Sequence, residues 1–226
     1  MPGNILVTGG ASGLGAAAAA EILAAGGTPL ILDRKAPQEK VPYRKADLAD
    51  TGATAEAVDE LAAEAGRLDA VFTAAGIDAC GALADVPAED WEHVVKVNLI
   101  GTAATVRAAL PHLTETRGKV VTCASTLGVK AVGDATAYCA SKFGVVGFTR
   151  ALAAETAGRI GVTLLIPGGM RTGFFDDRPE QYKPAPTAKL NDPRDVARAV
   201  VFALRQPPGC EMREMVVCCS EETSWP

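Results

Sequence analysis

Short apolar segments rich in β-branched residues alternate with longer stretches of helical periodicity along the chain, and this alternation constrains the fold more than any other feature. Ile5–Thr8 reads as a first strand and Gly13–Ala25 as an alanine-rich helix. Pro29–Leu32 and the short Val41–Tyr43 read as further strands, Ala53–Ala65 as a helix, and Leu68–Thr73 as a fourth strand. Glu89–Leu113 forms one long helical pattern, Lys119–Cys123 a glycine-bounded strand, and Thr136–Gly158 a second long helix. Gly161–Ile166 is the next strand, a helix opens at Pro193 with Asn191 or Asp192 as its cap and runs to about Leu204, and Met215–Cys218 is the last strand. Strands apolar on both faces, with helices between most of them, belong in a parallel sheet covered on both sides. The expectation is an α/β fold: a doubly wound parallel sheet of about seven strands, a Rossmann fold. No repeat or linker divides the chain, so residues 1–226 read as a single domain with a substrate-side segment at about 168–192.

Composition narrows the function classes. A 226-residue chain that is 48% hydrophobic can bury a substantial core. Its formal net charge of −5 and its lack of basic runs argue against a nucleic-acid partner. Met1 leads straight into an apolar strand, with no charged and apolar leader, and no stretch has the ~18 uninterrupted apolar residues of a membrane span. A cytoplasmic protein with no membrane partner is expected. None of the six cysteines forms a Cys-x-x-Cys pair, and only His93 and His112 could assist as ligands, so no metal site is expected.

In such sheets ligands bind beyond the carboxyl ends of the strands, so the strand exits are the places to look for chemistry. After the first strand comes Thr8-Gly9-Gly10-Ala11-Ser12-Gly13-Leu14-Gly15, opening a helix. Glycines there allow a tight turn and let backbone N–H groups reach a pyrophosphate at the positive helix end. Asp33, at the end of the second strand, can accept hydrogen bonds from an adenosine ribose and would repel a 2′-phosphate, favouring NAD over NADP. Arg34 and Lys35 beside it temper that preference, because a guanidinium can pair with a phosphate. Asp47-Leu48 can contact the adenine edge, or Asp47 can cap the following helix. Ala74-Ala75-Gly76 lets a cofactor pass close to the backbone.

Tyr138 and Lys142 stand four residues apart within a helical pattern, which puts them on one face. A unit charge ~4 Å from the phenol at an effective dielectric of ~20 is worth ~4 kcal/mol, enough to carry a tyrosine pKa toward neutrality. Such a group serves as a general acid or base. Ser125 lies 13 residues before Tyr138, just past the fifth strand, and Pro167-Gly168-Gly169-Met170-Arg171-Thr172 leaves the sixth. Thr126, Leu127, Met170, Phe174 and Phe175 would give a mainly apolar substrate lining.

These motifs, in this order, resemble the short-chain dehydrogenase/reductase family from Ile5 to about Val217. The Thr8–Gly15 spacing resembles its cofactor loop, Asp47-Leu48 its adenine-contacting pair, and Pro167-Gly168 with Met170 and Thr172 its nicotinamide-contacting segment. Asn98, Ser125, Tyr138 and Lys142 match its catalytic residues. The resemblance implies hydride transfer between a nicotinamide cofactor, NAD with NADP left open, and a small-molecule carbonyl or alcohol. Tyr138 would exchange the proton, Lys142 would lower its pKa and hold the nicotinamide ribose, Ser125 would polarise the carbonyl, and Asn98 would hold a water in a proton relay. It also implies a homodimer or homotetramer assembled through the two long helices. The small residues Ala103, Ala104, Ala140, Gly144, Gly147 and Ala151 would permit close helix approach, or would serve packing within one subunit. A non-catalytic dinucleotide-binding protein, or a lyase or epimerase using the cofactor transiently, are the rival readings. Two departures stand out. Thr73-Ala74-Ala75-Gly76 replaces the family's Asn-Asn-Ala-Gly, and the Thr172–Asn191 segment is short, which would leave the pocket open to a bulky or carrier-linked substrate.

Overall fold

The structure, a computed structural model, describes residues 3–225. Seven strands form one sheet in the order β3-β2-β1-β4-β5-β6-β7, every neighbouring pair parallel. They are β1 (Asn4–Thr8), β2 (Thr28–Asp33), β3 (Tyr43–Lys45), β4 (Ala70–Thr73), β5 (Lys119–Cys123), β6 (Gly161–Pro167) and β7 (Glu214–Val217). The helices are α1 (Gly13–Ala24), α2 (Thr51–Ala65), α3 (Ala88–Val95), α4 (Thr102–Thr116), α5 (Thr136–Glu155) and α6 (Pro193–Leu204). The doubly wound sheet expected from the sequence is therefore present.

Alternation along each strand sorts the core. Ile5, Val7, Ile31 and Phe72 pack with Leu14, Ala18 and Ile22 of α1 and Val196 and Val200 of α6. Leu6, Leu30, Leu32, Val71 and Val120 point the other way, onto Val58 and Leu61 of α2 and Val106 and Leu113 of α4. Each fully buried side chain of this kind is worth ~1.5–3 kcal/mol relative to exposure.

Local signals explain most boundaries. Asp50 caps α2 by accepting from the Ala53 N–H at 3.0 Å, and Gly66 ends it in the left-handed conformation at φ 75°. Asp192, not Asn191, caps α6 through the Arg194 N–H at 2.9 Å; Asn191 instead donates to the Val217 carbonyl. Asp47 caps no helix and accepts from the Ala49 N–H at 2.9 Å within the turn.

Two sequence expectations need correction. The edge strand β3 lies two residues later than Val41–Tyr43. The single helix expected over Glu89–Leu113 is divided by a π-helical stretch, Lys96–Gly101, between α3 and α4. Periodicity cannot distinguish the two, because the difference is one residue per hydrogen-bonded ring. Asn98 sits on that stretch, wholly buried.

Candidate active site

The strand order reverses at β1, whose neighbours are β2 and β4, and the diverging loops open a cleft of about 910 Å3 above it. Its lining includes every cofactor-site residue expected from the sequence: Gly9, Ser12–Gly15, Asp33, Arg34, Asp47, Leu48, Ala74–Gly76, Tyr138, Lys142, Pro167, Gly168, Met170 and Thr172. Ser125, Thr126 and the apolar residues Leu127, Phe174 and Phe175 line it too.

At one end, the first turn of α1 faces the cleft, and Ser12 makes no side-chain cap on it. That leaves donors of the positive helix end for a ligand. The loop is built for close backbone approach: a Cβ on Gly15 would fall 2.1 Å from the Gly9 carbonyl oxygen, and one on Gly9 would fall 2.8 Å from Ala75 Cα. Gly13 stands at φ 53°, a left-handed conformation that favours glycine, and a Cβ there would meet Thr172 at 3.7 Å. Asp33 ties this end together, accepting from the Ala11 N–H at 3.0 Å and the Lys35 N–H at 2.9 Å. Arg34 lies 4.0 Å from the Asp47 carboxylate. The size of the cleft, the exposed helix terminus and the glycine cradle fit a dinucleotide.

At the other end, α5 brings Tyr138 and Lys142 onto one face beneath the exit of β5. Lys142 is buried, and its Nζ donates to the Cys123 carbonyl at 2.9 Å while lying 5.6 Å from the Tyr138 ring centroid. Burial lowers its pKa. Ser125 Oγ accepts from the Leu127 N–H at 3.1 Å, which turns the chain after β5, and Ser125 hydrogen-bonds Tyr138. The phenol does not stand near neutrality as the pair's spacing led one to expect. Burial pushes it above its ordinary value, partly opposed by the Ser125 hydrogen bond. Phe174 covers it, with ring centroids 5.7 Å apart, and the Lys142 ammonium is directed at a carbonyl instead of at the phenol oxygen.

Asn98 stands behind Gly76, which lines the cleft. Asn98 itself does not line it. Its Oδ1 accepts from the Ile77 N–H at 2.8 Å, and its Nδ2 donates to the Ile77 carbonyl at 2.9 Å and to Ser141 Oγ at 3.0 Å. Its side chain braces the loop after β4. Thr8 Oγ1 braces the same loop, accepting from the Ala75 N–H at 3.3 Å. Thr73, standing in the first missing asparagine's place, keeps a buried hydroxyl with no partner among the described residues.

Two side chains not anticipated from the sequence shape the substrate side. Asp78 and Arg178 form a partly buried ion pair across 100 residues of chain. The Arg178 guanidinium stacks 5.2 Å from the Phe174 ring centre and 4.6 Å from that of Phe175, and donates to the Tyr182 carbonyl. Gly173–Phe175 and Glu180–Tyr182 are only short 3-10 turns, so this clamp holds what covering the cleft has. No spacing rule marks such a pair in the sequence.

The family model for short chain dehydrogenase matches residues 3–183. A hydroxy(phenyl)methyl-succinyl-CoA dehydrogenase subunit from Thauera aromatica is 31% identical over 234 residues, covering 95% of this chain and 94% of that protein. The 2-dehydro-3-deoxy-L-rhamnonate dehydrogenase (NAD(+)) of a Sphingomonas strain is 35% identical over 188 residues, 77% of this chain and 75% of its own length. An alcohol dehydrogenase from the archaeon Thermococcus sibiricus, solved with 5-hydroxy-NADP, shares the fold at TM-score 0.86 and 21% identity, over 96% of both chains. The matched family and the shared strand topology agree with the cleft, and the chain belongs to the short-chain dehydrogenase family of NAD(P)-dependent oxidoreductases.

Proposed function

We propose that this oxidoreductase uses NAD in preference to NADP and exchanges hydride with a carbonyl or secondary-alcohol substrate, with Tyr138 as the proton donor and acceptor. The observation that carries the reading is the meeting of Ser125, Tyr138 and Lys142 at one end of a cleft whose other end is a glycine-lined helix terminus. When bound, the nicotinamide supplies or accepts hydride at its C4. Gly9, Ser12–Gly15 and Ala74–Gly76 would hold the dinucleotide backbone, Asp47 and Leu48 the adenine, and Pro167, Gly168, Met170 and Thr172 the nicotinamide end. Ser125 orients the substrate oxygen and stabilises the charge that develops on it. Tyr138, with its pKa raised by burial, is held as the neutral acid that carbonyl reduction needs. Lys142, buried with one bond to Cys123, has remaining N–H donors for a ribose. Asn98 acts as a positioning residue through Ile77 and Ser141.

The preference for NAD is supported by Asp33 at the end of β2 and by the pairing of Arg34 with Asp47, which draws the guanidinium from a 2′-phosphate. The Sphingomonas relative is named for NAD(+). The short cover after Thr172 and the CoA-linked substrate in the Thauera relative's name support a bulky or carrier-linked substrate. Assembly as a homodimer or homotetramer is supported by one stripe of α5, where Ala140, Phe143, Gly147 and Ala151 are exposed, with Ile100 exposed as well. Gly144 serves packing within the subunit instead, since a Cβ there would meet Leu99 at 2.6 Å. Titration with NADH and NADPH, followed by a carbonyl panel, tests the reading. Tyr138→Phe is expected to abolish turnover and leave dinucleotide binding intact; undiminished activity would overturn the mechanism, and a strong NADPH preference the cofactor assignment.

A further inference from the structure

The segment after β7 turns back over the cleft. Glu222 Oε2 accepts from the Gly169 N–H at 3.0 Å, and Oε1 accepts from the Ser224 N–H at 3.0 Å and the Ser224 hydroxyl at 2.6 Å. Because the Ser224 proton goes to Glu222, the 2.6 Å contact between Ser224 and Thr126 has the Thr126 hydroxyl as donor. Lys130 Nζ holds the Thr223 carbonyl at 3.0 Å. The segment is thus tied both to the loop carrying Ser125 and to the loop leaving β6. A Cβ on Gly168 would come within 2.3 Å of Glu222 Oε2, so the carboxylate lies directly on that glycine. Only N–H and O–H donors hold it, and among the described residues no lysine or arginine pairs with it. Burial pushes its pKa up, but the donors from Ser224, Gly169 and Thr223 outweigh that and hold the group below its ordinary value. It is charged at neutral pH.

We propose that Glu222 sets the balance between oxidised and reduced cofactor, its carboxylate favouring the cationic nicotinamide ring over the neutral ring formed when hydride adds. The inference rests on the reading that Pro167–Thr172 faces the nicotinamide. Hydride addition removes one positive charge from the ring, so a fixed, half-buried negative charge beside it acts on one redox form and not the other. The enzyme would thereby hold its oxidised cofactor more tightly, make the bound reduced cofactor the stronger hydride donor and lean toward carbonyl reduction.

The test is the pair of dissociation constants for NAD+ and NADH, measured by calorimetry on the wild-type protein, Glu222→Gln and Glu222→Asp; the phosphorylated pair replaces them if it binds more tightly. Glu222→Gln is expected to raise the ratio of the oxidised to the reduced constant roughly fivefold, the scale of one unit charge at several ångströms in a partly screened site. Glu222→Asp, which keeps the charge, is expected to stay near the wild-type ratio. Intact binding with an unchanged ratio in Glu222→Gln overturns the inference alone, as does an equal change in both variants, which would mark a mere prop. Absence of dinucleotide binding by the wild-type protein overturns the reading of the site and the inference with it.

Discussion

Replacing Asn98 by alanine isolates the brace under the active site. The side chain is wholly buried and makes three hydrogen bonds, two to the Ile77 backbone and one to Ser141 Oγ. Asn98→Ala strands the Ile77 N–H and carbonyl without a partner and takes a donor from Ser141, whose own proton goes to the Tyr138 carbonyl at 2.8 Å. A buried polar group left unsatisfied costs ~1–3 kcal/mol, so two stranded backbone groups and a small cavity cost about 3–5 kcal/mol. Urea unfolding followed by circular dichroism, at matched protein concentration because assembly adds to apparent stability, reads this directly. The loop from Gly76 to Ile77 also loses its register beside Lys142, since a Cβ on Gly76 would lie 3.5 Å from both Asn98 Oδ1 and Lys142 Nζ. Turnover should therefore fall along with stability. A loss of less than about 1 kcal/mol would refute the brace, because by this reckoning even one unsatisfied group exceeds it.

Further substitutions probe the cleft. The Tyr138 phenol of the free protein should titrate above its ordinary value by ultraviolet difference spectroscopy, and Phe174→Ala should bring it down by letting water in. The sign for stability follows: a raised folded pKa means the folded protein keeps a proton that the unfolded chain has released, so stability falls as pH rises above about 10. Tyr138→Phe should reduce that alkaline loss, leaving the part due to Tyr43, Cys80, Cys123 and Cys218, which burial also raises; an unaltered loss would count against the raised phenol. Gly15→Ala should cost about 1–3 kcal/mol of stability and most of the dinucleotide affinity, because its Cβ would strike the Gly9 carbonyl at 2.1 Å. Gly147→Ala, whose Cβ would meet nothing within 4 Å among the described residues, should leave dinucleotide affinity unchanged in a binding titration run side by side.

Legibility in the sequence followed the range of the interactions. Continuous apolar strands and the Gly9–Gly15 loop are local, and both were readable. The Tyr138–Lys142 pairing was readable as a shared helix face, but not its electrostatics: burial under Phe174 and the pull of the Cys123 carbonyl depend on residues far along the chain. The π-helical turn at Asn98 leaves the apolar pattern almost unchanged, so its placement of that side chain under Ile77 was invisible. Asp78 with Arg178, and Glu222 with Gly169, join segments 100 and 53 residues apart through single polar contacts. Edge strand β3 was misplaced because it carries little apolar signal, its residues being half-buried or exposed.

The contact of Gly15 with Gly9 and of Gly9 with Ala75 joins three pieces of backbone with no side chain between them. Such a joint has no rotamers to rearrange, so the half of the cleft that meets the dinucleotide arrives already shaped. The opposite half hangs on long side chains, Arg178 and Glu222, each of which one substitution can release. New substrates can thus be accommodated by changing that margin, with the cofactor seat left alone.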